Sequence, residues 1–403
     1  MTDPDSRPPF RADHVGSLLR SKKLIDAHQA QIAGKLPAAD LSAIEDEEIR
    51  NAVAIQERVG IRAITDGELR RNNWRDRFFE RVEGFSQERI PSSFIFTEYS
   101  DEQRRGMPVP TVVGKLRRRQ SMTADDFAFL KPLTRQTAKA TLPSPSVNHF
   151  FSGDKSLAGS PYRDRHAFFA DVVAIYRHEI ADLAAAGCRY LQIDEVPIAV
   201  LCDPRNKEIV RTRGEDPEEL ITDYCQAIND AIAEKPADMT ICVHLCRGNG
   251  GHGQARGGYD PVAQRLFQEL RVDGYFLEYD TERSGSFEAL RVVPKSKKVV
   301  LGIISTKLRE LEDVDYVKRR IDDAARCIDL AVVPQSAMRV RIELPNRSLH
   351  LRRPGAQARS SRPYRARRVG RRLTCESKGG NVWPTLGRRL TPYCPRSPVV
   401  AVC

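Results

Sequence analysis

The chain has 403 residues and a formal net charge of +11, but that charge is unevenly spread. Residues 336–403 hold 16 Lys+Arg against 2 Asp+Glu, which leaves 49 against 52 in residues 1–335. A nucleic-acid reading therefore rests on the tail alone, no apolar window of about 18 residues marks a transmembrane helix, and the first residues lack the apolar run of a signal peptide.

Residues 13–19 read as a first strand. A helix is expected over 41–59, with apolar residues at helical spacing and Ser42 as its N-cap. A second strand-like run covers 62–68. Residues 109–114 read as a hairpin or insertion ahead of the third barrel strand, 139–145. Helical spacing returns over 162–186 and stops at Gly187, a fitting C-terminal signal. A strand at 189–195, a helix over 217–233, strands at 239–246, 274–278 and 299–305, a helix over 314–328 and a strand at 330–335 complete the series. Eight strand-like runs alternating with helices predict a (β/α)₈ TIM barrel over residues 1–335, followed by a basic, Arg/Pro-rich, unstructured tail over 336–403. The active site of such a barrel lies at the C-terminal ends of its strands.

Chemistry-bearing residues fall at those ends. His244 and Cys246 stand at i and i+2 of one strand, so their side chains share a face. Imidazole nitrogen and thiolate sulfur are zinc ligands, and Glu278 ends the next strand. Ser17, Glu68, Asp194 and Glu195 end other strands. Any one of these alone is more often an ion-pair partner, a cap or a satisfied core group, and only their joint placement points to a site. Nine cysteines without framework spacing fit a reducing cytoplasm. Cys188, Cys202, Cys225, Cys242 and Cys327 read as small buried hydrophobes.

The motifs His14-Val-Gly-Ser-Leu-Leu-Arg20, Thr65-Asp-Gly-Glu68 with Arg71-Asn-Asn73, Leu191-Gln-Ile-Asp-Glu195, Val243-His-Leu-Cys246 and Leu277-Glu278 occur in this order. Together they resemble the C-terminal catalytic barrel of cobalamin-independent methionine synthase, in its short single-barrel relatives, over most of residues 10–335. The resemblance implies Zn²⁺ held by His244, Cys246 and Glu278. It implies an amino-acid substrate held by Val15, Gly16, Ser17, Glu68 and Asp194. The implied activity is methyl transfer from 5-methyltetrahydrofolate, or its polyglutamate form, to the thiol of homocysteine, giving methionine. The implied partners are these small molecules, with no membrane.

One departure stands out. The family's last ligand is a Cys in a Pro-Gln/Asp-Cys-Gly segment after the last strand, whereas this chain reads Pro334-Gln335-Ser336-Ala337-Met338, with no Cys until Cys375. Residues 338–342 can be coded by ATG-CGG-GTT-CGC-ATC, which read from its second base gives Cys-Gly-Phe-Ala. Fifteen arginines in the last 68 residues fit an out-of-frame translation of a GC-rich gene, and the other reading is a genuine basic tail that binds nucleic acid or anionic lipid. The loss of a thiolate predicts weak zinc binding and impaired activity. Two alternatives stay open. The first is zinc-dependent alkyl transfer to another thiol such as coenzyme M, for which Arg20, Arg70 and Arg71 could meet a sulfonate. The second is an inactive relic with a nucleic-acid-binding tail. Uroporphyrinogen-decarboxylase-like chemistry fits poorly because it needs no zinc ligands.

Overall fold

A computed structural model describes residues 7–91, 108–248, 255–305 and 312–329. The strands are β1 (Ala63–Ile64), β2 (Val82–Pro91), β3 (Pro108–Arg118), β4 (Thr137–Ala138), β5 (Ala140–Pro143), β6 (Tyr190–Asp194), β7 (Thr240–Leu245), β8 (Gly274–Glu278) and β9 (Lys298–Gly302). β1 pairs in parallel with β4, and β5 through β9 pair in parallel in chain order. Only Lys139 separates β4 from β5, and its N–H still bonds the Ile64 carbonyl at 2.8 Å. The result is an α/β barrel wall in which each strand lies beside its predecessor. β2 and β3 form an antiparallel hairpin, the expected insertion before the third barrel strand.

Alternation along the strands separates two faces. Leu191, Ile193, Ile241, Val243, Leu277, Val299 and Leu301 are all buried on one face, each contributing roughly 1.5–3 kcal/mol. Tyr275 on that face reaches the carbonyls of the flanking turn, Phe267 at 3.5 Å and Leu270 at 3.4 Å. The other face, with Tyr190, Gln192, Asp194, His244, Phe276 and Glu278, lines the lumen.

Several expectations need correction. Residues 13–19 form no regular strand. Two of their bonds to the neighbouring run go through side chains (His14 Nε2 to the Ala63 carbonyl at 3.0 Å, Thr65 Oγ1 to the Gly16 carbonyl at 2.6 Å), and Gly16 at φ +104° breaks the extended geometry. The segment is a strap that runs alongside residues 63–67 in step with them, with a backbone bond from Leu18 N–H to the Gly67 carbonyl at 3.0 Å. The helix expected over 41–59 is Ala38–Arg58, with Pro37 rather than Ser42 at its N-cap. Proline presets its own φ, and Ala38 and Ala39 are the best helix formers, so the helix starts three residues early. The helix expected over 162–186 is Arg165–Ala185, capped by the Asp164 side chain and ended by Gly187 at φ +85°. The helices expected over 217–233 and 314–328 end earlier, at Ala231 and Ala325. The strand expected at 330–335 and the tail from 336 lie outside the described residues. No helix among the described residues is long and apolar enough to cross a membrane.

Candidate metal and substrate site

β6, β7 and β8 end side by side. Asp194 pairs in register with His244, and Leu245 with Leu277, so Cys246 follows on the rung of Glu278. His244, Cys246 and Glu278 are all buried. The Asp194 Oδ1 accepts from His244 Nδ1 at 2.9 Å and from Gln192 Nε2 at 2.7 Å. A carboxylate accepts, so His244 donates from Nδ1 to Asp194, the support that stands behind metal-ligating histidines. Gln192 Nε2 also donates to the Val15 carbonyl at 2.6 Å, tying the strap to Asp194. Glu278 accepts from the Arg247 backbone N–H at 3.1 Å and from the Arg283 guanidinium.

The strap side is built around a tight turn. Thr65 Oγ1 accepts from Gly67 N–H at 3.2 Å, and Asp66 Oδ1 accepts from Glu68 N–H at 3.0 Å. These bonds hold Gly67 at φ +68° and Glu68 at φ +58°. A non-glycine residue in this region is strained, and such strain collects at functional sites. The turn drives the Glu68 carboxyl into the lumen, where it accepts from Thr141 Oγ1 at 2.7 Å and lies 3.4 Å from Arg71 Nη1. Burial pushes its pKa up, Arg71 opposes that, and the nearby Asp194 carboxylate adds to it. Gly16 is required on the strap, because a Cβ there would lie 2.5 Å from Thr141 Cγ2. Ser17 is half-buried beside it.

The structure thus brings Glu68, Asp194 and His244 together, ties Val15 and Gly16 to them, and sets Cys246 and Glu278 on adjacent strand ends. Glu195 points elsewhere: it accepts from Ile198 N–H at 2.8 Å and Ser146 Oγ at 2.5 Å, and burial pushes its pKa up to about 6. None of the six described cysteines forms a disulfide. Sequence reasoning missed Gln192, Arg247, Tyr259 and Arg283. Gln192 was findable, being two residues before Asp194 on the same strand face. Nothing in the sequence flags Tyr259.

Residues 10–347 match the family described as "Cobalamin-independent synthase, Catalytic domain". The chain belongs to that family. It is 41% identical to the uncharacterised protein YxjH of Bacillus subtilis (strain 168), over 82% of this chain and 86% of that one. It is 25% identical to a methionine synthase of Saccharolobus solfataricus, over 76% and 80%. Among solved structures, a putative vitamin-B12-independent methionine synthase from Listeria monocytogenes is 35% identical over 82% of this chain and 91% of its own, with a TM-score of 0.64.

The family implies a metal, and the donors here suit zinc: nitrogen, sulfur and oxygen on one lumen face, with a carboxylate behind the imidazole. The described trio of ligand types whose donor atoms all lie within 4.8 Å of one another is a different one, His149, Asp154 and Glu215. Arg165 stands 3.1 Å from Asp154 and Arg213 stands 2.5 Å from Glu215. His149 is held between Tyr224 and Asp154, each at 2.9 Å. Both carboxylates of that trio already pair with guanidiniums and it includes no thiol, so the strand-end set is the better match to the family's metal.

Proposed function

We propose that this chain is a zinc-dependent thiol methyltransferase whose acceptor is homocysteine and whose donor is a methyl-folate. His244, Cys246 and Glu278 would hold the metal. Bound zinc supplies the Lewis acidity that keeps a thiol deprotonated at neutral pH. The protein's own residues orient the substrate. Glu68 and Asp194 receive its ammonium, and Ser17 with the Gly16 backbone receives its carboxylate, which fixes the sulfur's approach.

The observation that carries this reading is the buried pair of like charges, Glu68 and Asp194, beside His244. Arg71 answers one of these charges at 3.4 Å, and the second carboxylate leaves a place for a further cation, which an amino-acid ammonium supplies. The arginines a sulfonate would need already have partners in the protein. Arg20 donates to the Glu68 and Arg71 carbonyls at 3.0 and 2.5 Å. Arg70 pairs with Glu45, Asp46 and Asp126. Arg71 faces Glu68. Coenzyme M is therefore the weaker acceptor.

The proposal includes the division into a barrel over 1–335 and a basic tail over 336–403, with Ser336 a poor substitute for a thiolate ligand. This chain should then hold zinc less tightly than a four-ligand site. Calorimetric titration of homocysteine into wild type and Glu68→Gln tests the substrate assignment. Weaker binding with unchanged zinc content supports it. Unchanged homocysteine affinity, or tighter binding of coenzyme M, sinks it. Asp194→Ala is the less clean variant, because Asp194 also orients His244.

A further inference from the structure

Arg247 follows Cys246 directly and is fully buried. A guanidinium out of water costs several kcal/mol unless its surroundings compensate. Its Nε and Nη2 have no hydrogen-bond partner among the described residues. What it does contact converges on Glu278. Its backbone N–H donates to Glu278 Oε2 at 3.1 Å. Its Nη1 donates to the Glu278 carbonyl at 3.1 Å and to the Tyr259 hydroxyl at 2.7 Å. That hydroxyl in turn accepts from the Glu278 N–H at 2.9 Å. The guanidinium lies 4.0 Å from the Tyr259 ring centroid, the cation–π contact that makes its burial tolerable. The Arg247 carbonyl accepts from Ala255 N–H at 2.9 Å. One residue thus holds the side chain and the carbonyl of Glu278 directly and, through Tyr259, its main-chain N–H.

We infer that Arg247 and Tyr259 are positioning residues that latch the end of β7 to the end of β8, so that Cys246 and Glu278 meet one cation. This rests on the reading of those two residues as metal ligands. A latch is needed there because the ladder between β7 and β8 ends at Leu245 and Leu277, one residue short of both ligands. β9 holds the end of β8 through the pairing of Glu278 with Gly302, so without the latch the end of β7 is free to splay from it. The partners behind a metal's ligands are worth roughly 10–100-fold in affinity.

The test is chelator-competition titration of Zn²⁺ on the full chain, with the Co²⁺ charge-transfer spectrum as a second readout and the Tm of the metal-free protein as a third. Tyr259→Phe should weaken zinc binding roughly 10-fold, Arg247→Met should approach 100-fold, and Arg247→Lys should fall between them. The cobalt–thiolate band should broaden or weaken in the same order. A merely structural role would lower the metal-free Tm and leave the affinity of the folded chain at the wild-type value, which overturns the inference. If Arg247→Met does not fold, Tyr259→Phe decides alone, since it removes one hydroxyl. His244→Ala separates the two readings. If wild type binds zinc and His244→Ala does not, the metal site stands and the latch is judged on its own variants. If wild type and His244→Ala bind alike, the metal site fails and the latch fails with it.

Discussion

At the N-terminal end of the strands, Lys139 and Asp13 form an ion pair 3.1 Å apart with both side chains fully buried. The chain itself supplies every partner there. Lys139 Nζ also donates to the His14 carbonyl at 2.5 Å, and Tyr190 donates to Asp13 at 2.8 Å. At the C-terminal end, Glu68 and Asp194 lie close enough that the Asp194 charge adds to the burial that raises the Glu68 pKa, while Arg71 opposes it. Both ends bury polar groups in one lumen. The first is a one-to-one pair, which marks it as structural, whereas at the second two carboxylates share the Arg71 guanidinium. The excess negative charge at the second marks it as a place for a ligand.

Breaking the balanced end should give the largest effect. Lys139→Met leaves Asp13 buried and unpaired, and removing one partner of such a pair costs about 3–5 kcal/mol. Urea unfolding of the single variant and of Lys139→Met with Asp13→Asn checks this. The double variant should recover part of the loss, because it leaves no lone charge. A single variant within 1 kcal/mol of wild type would show that the floor is not held by this pair.

The strap carries the next effect. His14 Nε2 faces a carbonyl and its Nδ1 accepts from Gly16 N–H at 3.3 Å, so the neutral Nε2–H tautomer is required. Burial, then Lys139, pushes its pKa down to about 4. A base with a depressed folded pKa contributes stability that is present above its unfolded pKa of 6.5 and lost as pH falls through about 4. The loss should be about 3 kcal/mol. His14→Gln should flatten that limb of the stability–pH curve measured by urea unfolding.

The same contrast explains what the sequence revealed. Strands β5 to β9 were legible because their outward residues form unbroken apolar runs, and the lumen residues were legible as polar groups at run ends. Residues 13–19 looked like a strand because Val15, Leu18 and Leu19 are apolar. The Gly16 conformation and the side-chain bonds that make them a strap are tertiary facts. Capping was only partly readable. Asp164 caps its own helix, but the helix Ala124–Leu130 begins on Glu179, which accepts from Met122, Thr123 and Ala124 N–H at 2.8, 2.6 and 3.0 Å from a residue 55 or more positions away. Tyr259 and Arg247 escaped for the same reason: their importance lies in what they touch.

Glu195 gives an effect of opposite sign to His14. Its folded pKa of about 6 lies above the ordinary 4.5 because of burial, while Ser144, Ser146 and the Ile198 N–H work against the shift. The stability it contributes is full below 4.5 and lost as pH rises through 6. Glu195→Gln should therefore be more stable than wild type by about 2 kcal/mol at pH 7.5 and equal to it at pH 4.5. A difference that does not change with pH would show that Glu195 does not titrate in this window.

The smallest stability effect is expected at the unbalanced end itself, and it sharpens the comparison most. Glu68→Gln removes a carboxylate whose pKa burial has raised, so at pH 7 the charged form is the costly one. The amide keeps an oxygen for the Thr141 hydroxyl. Arg71 stays compensated by Asp66, Asp126 and Asp194, all close enough to stabilise its charge. The variant should unfold at or above the wild-type denaturant midpoint, unlike Lys139→Met. Gain or parity in stability with loss of ligand affinity is the signature of a residue kept for binding. A Glu68→Gln chain as damaged as Lys139→Met would place Glu68 with the floor, as one more structural charge, and would remove the argument that an ammonium belongs beside it.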